Sequence, residues 1–331
     1  MAYLNKALEE SKLVLKNRLV MPPMATAKSD IDGRLNNDVL DYYEEKSKGG
    51  FISLIIIEHS FISQKGKASD RQLSIAEDDK VNDLKKLADI IHKNGSKAVM
   101  QINHAGSSTD KSVTGSEPIG PSPVLNPPDG KIVPKEIDIN EIKTIVKEFK
   151  DAALRVKDAG FDGVELHCAH GYLLSQFISP LTNKRTDEYG GDIFGRIKIH
   201  LEIIKEIRHA VGDSFPLLVR LGASDYMEGG LTIEESKLAA YEFEKAGVDM
   251  LDISGGLCRA ILPGVSEEGY FSSLSEAIKD IVKIPVIVAG GITKVETAEN
   301  ILSQGKADLI GVARAIYRDS DWAKNAMQNL D

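Results

Sequence analysis

Two histidines and a tyrosine stand close together in the segment His167-Cys168-Ala169-His170-Gly171-Tyr172. The imidazoles permit three interpretations: they are two ligands of a zinc ion, they are core histidines bonded to the backbone, or they are paired hydrogen-bond donors that polarise a substrate carbonyl. Zinc would need a third protein ligand, for which Glu165 or His104 is the candidate. Tyr172, with an ordinary pKa of about 10, is protonated at neutral pH and can act as a general acid.

Two glycine-containing turns near the end of the chain are typical of anion binding. Ala289-Gly290-Gly291-Ile292-Thr293 and Gly311-Val312-Ala313-Arg314 each follow an apolar run. Glycine backbone N–H groups and a helix N-terminus can bind a phosphate there, and Arg314 would add a charge-assisted hydrogen bond. Either turn alone could be a simple tight turn. Together they predict a phosphate-bearing ligand.

The elements that must position these residues alternate along the chain. Short β-branched runs predict eight strands, at 18–21, 52–58, 98–102, 163–166, 217–221, 250–253, 286–289 and 309–312. Segments with helical periodicity lie between them, at 80–94, 139–159, 194–211, 233–246 and 294–304. The alternation predicts a parallel sheet, and we expect a single-domain α/β fold over residues 1–331, a (β/α)8 TIM barrel. A doubly wound sheet is the alternative, but no G-x-G-x-x-G follows the first strand.

In such a barrel the carboxyl ends of the strands converge on the active site. The polar and small residues expected at that rim follow the strands in order: Met24-Ala25-Thr26, Gln101, His104, His167, His170, Arg220, Gly290-Gly291 and Arg314. A long irregular loop, 106–135, follows the third strand, and we expect it to cap the site. Residues 257–271 are expected to shape the pocket as well.

Composition argues against several classes of partner. The net charge is −9, so no overall field draws the chain to nucleic acid or to an anionic membrane. Its two cysteines, Cys168 and Cys258, lack the spacing of a disulfide framework, zinc ribbon or iron–sulfur site. There is no apolar signal region at the amino terminus and no run of about 18 uncharged apolar residues. We therefore expect a cytoplasmic protein.

Several further motifs are spread over nearly the whole chain. They are Lys16-Asn17-Arg18, Pro22-Pro23-Met24, Gln101-Ile102-Asn103-His104-Ala105-Gly106, Gly120-Pro121-Ser122, the stretch from Gly160 to Gly191, Val219-Arg220-Leu221, Gly290-Gly291 and Ala313-Arg314. In these motifs the chain resembles the old yellow enzymes, a family of FMN-dependent ene-reductases built on a (β/α)8 barrel.

This resemblance implies a noncovalent FMN, with NADH or NADPH as the hydride donor. Beside the flavin ring would lie Pro23, Met24 and Ala25; Gln101 would bond its pyrimidine edge, and Arg220 would lie near the end that becomes anionic on reduction. The phosphate would be held by Gly290, Gly291, Ala313 and Arg314. His167 and His170 would bind the carbonyl oxygen of an activated alkene, and Tyr172 would protonate its α-carbon. The resemblance further implies a homodimer or homotetramer.

The chain also departs from the family's pattern. Ala25 stands where the family usually has threonine or cysteine beside flavin O4, and Ser107 stands where many members have arginine. Because the chain stops soon after Trp322, we expect neither the iron–sulfur segment of the multidomain relatives nor an arginine that reaches a neighbouring subunit. Two other hypotheses stay open: a metal-dependent lyase or isomerase on a phosphate-binding barrel, and a flavin-binding protein that no longer turns over.

Overall fold

The computed structural model describes residues 2–128, 130, 132–328 and 330. Its strands, in chain order, are β1 (Leu19–Met21), β2 (Leu54–Phe61), β3 (Lys97–Asn103), β4 (Ile119–Gly120), β5 (Lys135–Glu136), β6 (Gly163–Cys168), β7 (Leu217–Gly222), β8 (Met250–Ser254), β9 (Val286–Ala289) and β10 (Leu309–Gly311). All but β4 and β5 form a closed parallel barrel in the order β1-β10-β9-β8-β7-β6-β3-β2. The predicted (β/α)8 barrel is confirmed, and each predicted strand is present.

Helices cover the outside of the barrel. They are α1 (Asn37–Ser47), α2 (Val81–Lys93), α3 (Lys111–Thr114), α4 (Ile139–Asp158), α5 (Leu173–Ile178), α6 (Ile193–Arg196), α7 (Lys198–Val211), α8 (Ile233–Ala246), α9 (Ser272–Lys279), α10 (Val295–Ser303), α11 (Arg314–Arg318) and α12 (Trp322–Gln328). Three short 3-10 turns add Lys48–Gly50, Gln64–Gly66 and Asp78–Lys80. The predicted helix over 194–211 is divided, because Ile197 separates α6 from α7.

Side chains that point into the barrel form an apolar layer with a polar layer above it. Alternate strand residues face the same side of a sheet, and the inward positions of the apolar layer are Val20, Leu54, Ile56, Val99, Leu218, Met250, Ile287 and Leu309. The next inward position toward the carboxyl ends is polar on five strands: Glu58, Gln101, Glu165, Arg220 and Asp252. The apolar layer fills the interior of the barrel. The polar layer forms the floor of any binding site at the carboxyl ends of the strands.

The loop over 106–135 is partly regular, although Asp129 and Lys131 lie outside the described residues. It contains α3, and its strand β4 pairs in parallel with β5. A side chain of this loop also fixes its position, because Asn126 Nδ2 donates to the Gly171 carbonyl over 2.8 Å. The loop is therefore anchored beside the turn that carries His170 and Tyr172.

Among the described residues, no helix combines the length and apolar character needed to cross a bilayer.

Candidate active site

A cavity of about 340 Å³ opens at the carboxyl ends of the barrel strands. Every residue that the resemblance assigns to the flavin or to catalysis lines it: Pro23, Met24, Ala25, Gln101, His167, His170, Tyr172, Arg220, Gly290, Gly291, Ala313 and Arg314. Thr26 and His104, which were also expected at the rim, do not line the cavity: Thr26 is bonded to Glu58, and His104 accepts from the Gly106 N–H. The lining residues that were not singled out from the sequence include His59 and Ser254. No described residue of the 106–135 loop lines this cavity, whereas Ala260 and Ile261 belong to the 257–271 region expected to shape it.

A tight turn after β6 brings the histidines and the tyrosine together. His170 has a φ of +62° and Gly171 a φ of +78°, so two successive residues are left-handed. That conformation is costly for a residue with a side chain, and the Gly171 carbonyl is held by hydrogen bonds from Ser108 Oγ at 2.7 Å and from Asn126 Nδ2 at 2.8 Å. The 106–135 loop thus stabilises this turn, although it was expected to cap the site.

The rings in this part of the cavity are in mutual contact. The His167 ring lies with its centroid 5.0 Å from that of His170 and 5.0 Å from that of Tyr172. His170 Nε2 lies 2.8 Å from Ser254 Oγ, so a hydroxyl at the end of β8 orients this imidazole. His167 Nδ1 is buried and has no hydrogen-bond partner among the described residues. An oxygen of a bound ligand would satisfy that nitrogen.

Burial keeps these imidazoles neutral. Desolvation is the main cause that lowers the pKa of His167 and of His170 well below the usual range, and the nearby Arg220 guanidinium lowers both pKa values further. A neutral imidazole still carries one N–H group. Each ring can therefore donate one hydrogen bond to a carbonyl oxygen without placing a positive charge in the cavity.

The polar floor is short of hydrogen-bond partners. Gln101 Nε2 donates to Glu165 Oε1 at 2.8 Å, and Arg220 Nη1 donates to Asp252 Oδ2 at 2.7 Å. The buried atoms Arg220 Nε, Glu165 Oε2 and Asp252 Oδ1 have no partner within the part of the chain that is described. Because unsatisfied buried polar atoms are costly, this layer is suited to a polar ligand above it.

The floor contains two carboxyl groups near the Arg220 guanidinium: Asp252, which is bonded to it, and Glu165. Burial raises the pKa of Glu165 well above its ordinary value, and the neighbouring Asp252 carboxylate raises it further. Burial also raises the pKa of Asp252 to about 6, although Arg220 opposes that change. At neutral pH we therefore assign the proton to Glu165 and the negative charge to Asp252.

The segment after β1 forms the opposite wall, with Pro23, Met24 and Ala25 against the cavity. Thr26 follows, and both its backbone N–H and its hydroxyl donate to the buried Glu58 carboxyl group. Ala25 itself offers the cavity a methyl group. The segment is thus fixed from behind by β2 and presents mainly apolar surface to the ligand.

The turns after β9 and β10 form the far end of the cavity. Gly291 has a φ of +68°, and a Cβ at this position would lie 2.5 Å from the Tyr270 ring, so glycine is required. Gly311 and Ala313 line the cavity beside it. Arg314 Nη2 donates to the Tyr270 hydroxyl at 3.1 Å, and Arg314 makes no salt bridge within the described part of the chain. Its charge is therefore available to an anion.

No third side chain in the described part of the chain is placed to bind a zinc ion together with His167 and His170. Among the described residues, no group of three or more His, Cys, Asp and Glu side chains is arranged to hold a metal ion. Glu165 is bonded to Gln101, and the Nδ1 of His104 accepts the backbone N–H of Gly106 at 3.0 Å.

Known proteins with the same organisation were found by sequence and by structure. The model of the NADH:flavin oxidoreductase / NADH oxidase family matches residues 8–331. The chain is 42% identical to an NADH oxidase of Thermoanaerobacter brockii over 322 residues, 96% of this chain and 49% of that protein. It is 37% identical to an NADPH dehydrogenase of Clostridium acetobutylicum over 309 residues, 93% of this chain and 89% of that protein.

Among solved structures, the old yellow enzyme homologue from Zymomonas mobilis superposes with a TM-score of 0.86 at 25% identity, covering 99% of this chain and 93% of that one. The chain thus spans about half the length of the Thermoanaerobacter relative and most of the length of the other two.

Proposed function

The chain belongs to the NADH:flavin oxidoreductase / NADH oxidase family, and on that premise we propose that it is an FMN-dependent NAD(P)H oxidoreductase that reduces activated alkenes. Its substrates would be α,β-unsaturated carbonyl or nitro compounds. The observation that carries the proposal is one cavity lined both by a phosphate-type glycine turn with Arg314 and by the His167, His170 and Tyr172 side chains.

The residues of this cavity fit FMN. The unpartnered Arg220 Nε and the Gln101 amide lie in the floor, where they would bond the polar edge of the flavin ring. Pro23, Met24 and Ala25 would pack beside the ring, while Gly290, Gly291, Ala313 and Arg314 would hold the phosphate. When bound, FMN supplies the two-electron redox chemistry: it accepts a hydride from NADH or NADPH and delivers one to the alkene.

His167 and His170 bind the carbonyl or nitro oxygen of the substrate. Both are neutral, buried donors, and hydrogen bonds to a developing negative charge are stronger in a buried site than in bulk solvent. The charge on that oxygen grows during reduction of the alkene. These donors therefore bind the transition state more tightly than the ground state, which is what accelerates the reaction.

Tyr172 supplies the proton. Tyr172 lines the same cavity, and its ring centroid is 5.0 Å from that of His167, which binds the substrate oxygen in this proposal. The O–H bond of Tyr172 breaks as the α-carbon gains hydrogen. Water that enters when product leaves then returns a proton to the tyrosinate.

The test is a reductive titration followed by a substrate panel. We expect the purified protein to be yellow, its flavin absorbance to bleach with NADH or NADPH, and cyclic enones, nitroalkenes and maleimides to restore the colour. Colourless protein with bound zinc would instead favour the lyase or isomerase hypothesis. Yellow protein that bleaches but reduces no alkene would indicate a flavin-binding protein without ene-reductase activity. A cytoplasmic location and assembly as a homodimer or homotetramer stay predictions.

A further inference from the structure

His59 lies against Tyr172 in the cavity, and no motif in the sequence pointed to it. Its Nε2 atom is 3.3 Å from the Tyr172 hydroxyl oxygen. The two rings are stacked, with centroids 5.3 Å apart and planes inclined by 28°. The side chain is only 8% exposed. A polar ring held this closely against the proposed proton donor must affect how that donor works.

An irregularity in β2 turns His59 toward the cavity. The pairing of β2 with β3 shifts register between Ile57 and Ser60, and such bulges re-aim the side chains around them. By strict alternation Glu58 points inward, so His59 would face the helices. The shift brings both into the barrel, and Gln72 Nε2 holds the displaced strand end by donating to the His59 carbonyl at 3.0 Å.

The surroundings leave His59 uncharged. Burial alone lowers the pKa of His59 to about 4. The titratable groups that face it are His167 and Tyr172 in ring contact and, further away, His170. Glu58, the neighbour on β2, directs its carboxyl group to Thr26 instead. As a neutral ring, His59 has one N–H group to give and no proton to transfer as an acid.

We propose that His59 is a positioning residue for the proton transfer, and that its Nε2–H donates a hydrogen bond to the Tyr172 hydroxyl oxygen. This inference rests on the proposed function, in which Tyr172 protonates the substrate. With its oxygen accepting from His59, the Tyr172 hydroxyl is oriented, and the tyrosinate formed after proton transfer keeps a stabilising donor.

The atoms balance without any further reagent. The Tyr172 O–H bond breaks, a C–H bond forms at the α-carbon, and the electron pair of the broken bond stays on the tyrosinate oxygen. The His59 Nε2–H bond does not break at any stage. The 3.3 Å separation is long for this contact, and such contacts commonly tighten once substrate fills the site.

The test compares two variants of the holoenzyme. His59→Phe keeps a ring stacked on Tyr172 but has no donor, whereas His59→Gln keeps a donor of similar reach. A hydrogen bond to a charged group is stronger than a neutral one, so we expect His59→Phe to slow enone reduction by about tenfold. Reduction of the flavin by NAD(P)H should slow far less than enone reduction, because it needs no proton from Tyr172, and His59→Gln should recover most of the rate of enone reduction.

A second readout does not depend on turnover. The tyrosinate absorbance due to Tyr172, isolated as the difference from Tyr172→Phe, should appear about one pH unit higher in His59→Phe, because the tyrosinate has lost a donor. A variant that carries both His59→Phe and Tyr172→Phe should reduce enones no more slowly than Tyr172→Phe alone, since His59 acts only through Tyr172.

The outcomes distinguish a failure of the His59 assignment from a failure of the proposed function. If Tyr172→Phe slows enone reduction while His59→Phe leaves both the rate and the tyrosinate titration unchanged, His59 has no positioning role. Equal losses in His59→Phe and His59→Gln would also overturn it, because they would show that shape rather than donation matters. If Tyr172→Phe itself keeps full enone activity, the proton-donor assignment of the proposed function fails.

Discussion

The Thr26 hydroxyl donates to Glu58 Oε1 over 2.6 Å, and the Thr26 backbone N–H donates to Oε2 of the same carboxyl group over 2.9 Å. This pair directs the Thr26 side chain toward β2 and leaves Ala25 as the neighbouring residue that lines the cavity. Ala25 cannot donate a hydrogen bond from its side chain. In the proposed function, the flavin edge beside Ala25 therefore receives no hydrogen bond from that side chain.

Ala25→Thr should raise the flavin midpoint potential. One added neutral hydrogen bond is worth about 1 kcal/mol net, which for a two-electron couple corresponds to roughly 20 mV. Reduction by NAD(P)H should become faster and delivery of hydride to the alkene slower. Dye-coupled titration measures the potential, with Thr26→Val as the matched variant. An unchanged potential in Ala25→Thr, together with a lower one in Thr26→Val, would mean that Thr26 makes the flavin contact after all.

Replacing both His167 and His170 by alanine should leave FMN bound, because neither residue belongs to the glycine turns proposed to hold the phosphate. Phenolic ligands should bind more weakly, and the oxidative half-reaction should slow far more than the reductive one. Each lost donor to a developing oxyanion costs on the order of 10²-fold. Stopped-flow measurement of the two half-reactions provides the check. Unchanged enone turnover in the double variant would show that His167 and His170 do not bind the substrate oxygen.

Tyr172→Phe should retain hydride transfer from NAD(P)H while slowing the reduction of enones, since only the second half-reaction needs a proton at carbon. Nitroalkenes should be affected less, because their nitronate product is stable enough to leave unprotonated. Comparing the two substrate classes under identical conditions tests this role. An equal loss with both classes would argue that Tyr172 binds substrate and does not donate the proton.

Arg314→Ala should weaken FMN binding through loss of a charge-assisted hydrogen bond to the phosphate, by about tenfold or more in Kd. Riboflavin provides the control, because it has the same ring system and no phosphate. Fluorescence titration of the apoprotein with each flavin measures both affinities. If the variant loses affinity for riboflavin to the same extent, Arg314 supports the cavity in some other way than by binding phosphate.

Asp252→Asn should raise the flavin midpoint potential at pH 8, by roughly 30 mV if about 1.4 kcal/mol of charge interaction is removed. Asp252 is ionised there, since its pKa is about 6, and its charge partly neutralises Arg220. Below pH 6 the Asp252 carboxyl group becomes protonated, so the difference in flavin midpoint potential between the native protein and Asp252→Asn should become smaller.

Glu165→Gln is the matched control for Asp252→Asn, because it replaces the other buried carboxyl group of the floor. Because burial and Asp252 raise the pKa of Glu165, its carboxyl group is already uncharged at pH 8, and the amide can replace it opposite Gln101. The potential should barely change. A shift as large as that of Asp252→Asn would place the negative charge of the pair on Glu165 instead.

The barrel could be predicted because its signals are local. Each strand is a short β-branched run, and glycines at 95, 160, 247 and 305 have positive φ at the helix-to-strand turns, as their sequence positions indicate. Helix α9 was missed because it has only eight residues and follows an irregular loop. Local patterns do not report where such a loop ends.

The site was predicted less completely, and for a different reason. Residues at the carboxyl ends of strands or directly after them could be found by counting, which led to His167, His170 and Arg220. His59 could not, because its entry into the cavity depends on a register shift between β2 and β3 that leaves no mark in either sequence alone. Ser254 ends β8 and could have been found by the same counting rule, since its hydroxyl occupies a rim position.

The barrel closes where β1 pairs with β10, with Leu19 opposite Ile310 and Val20 opposite Gly311. These partners are far apart in the sequence, so loop entropy opposes their meeting until the intervening units are in place. During synthesis β1 must therefore wait, paired on one side at most, until β10 has left the ribosome. Two walls of the flavin cavity follow these two strands, so the nascent chain cannot assemble the cavity before that final closure.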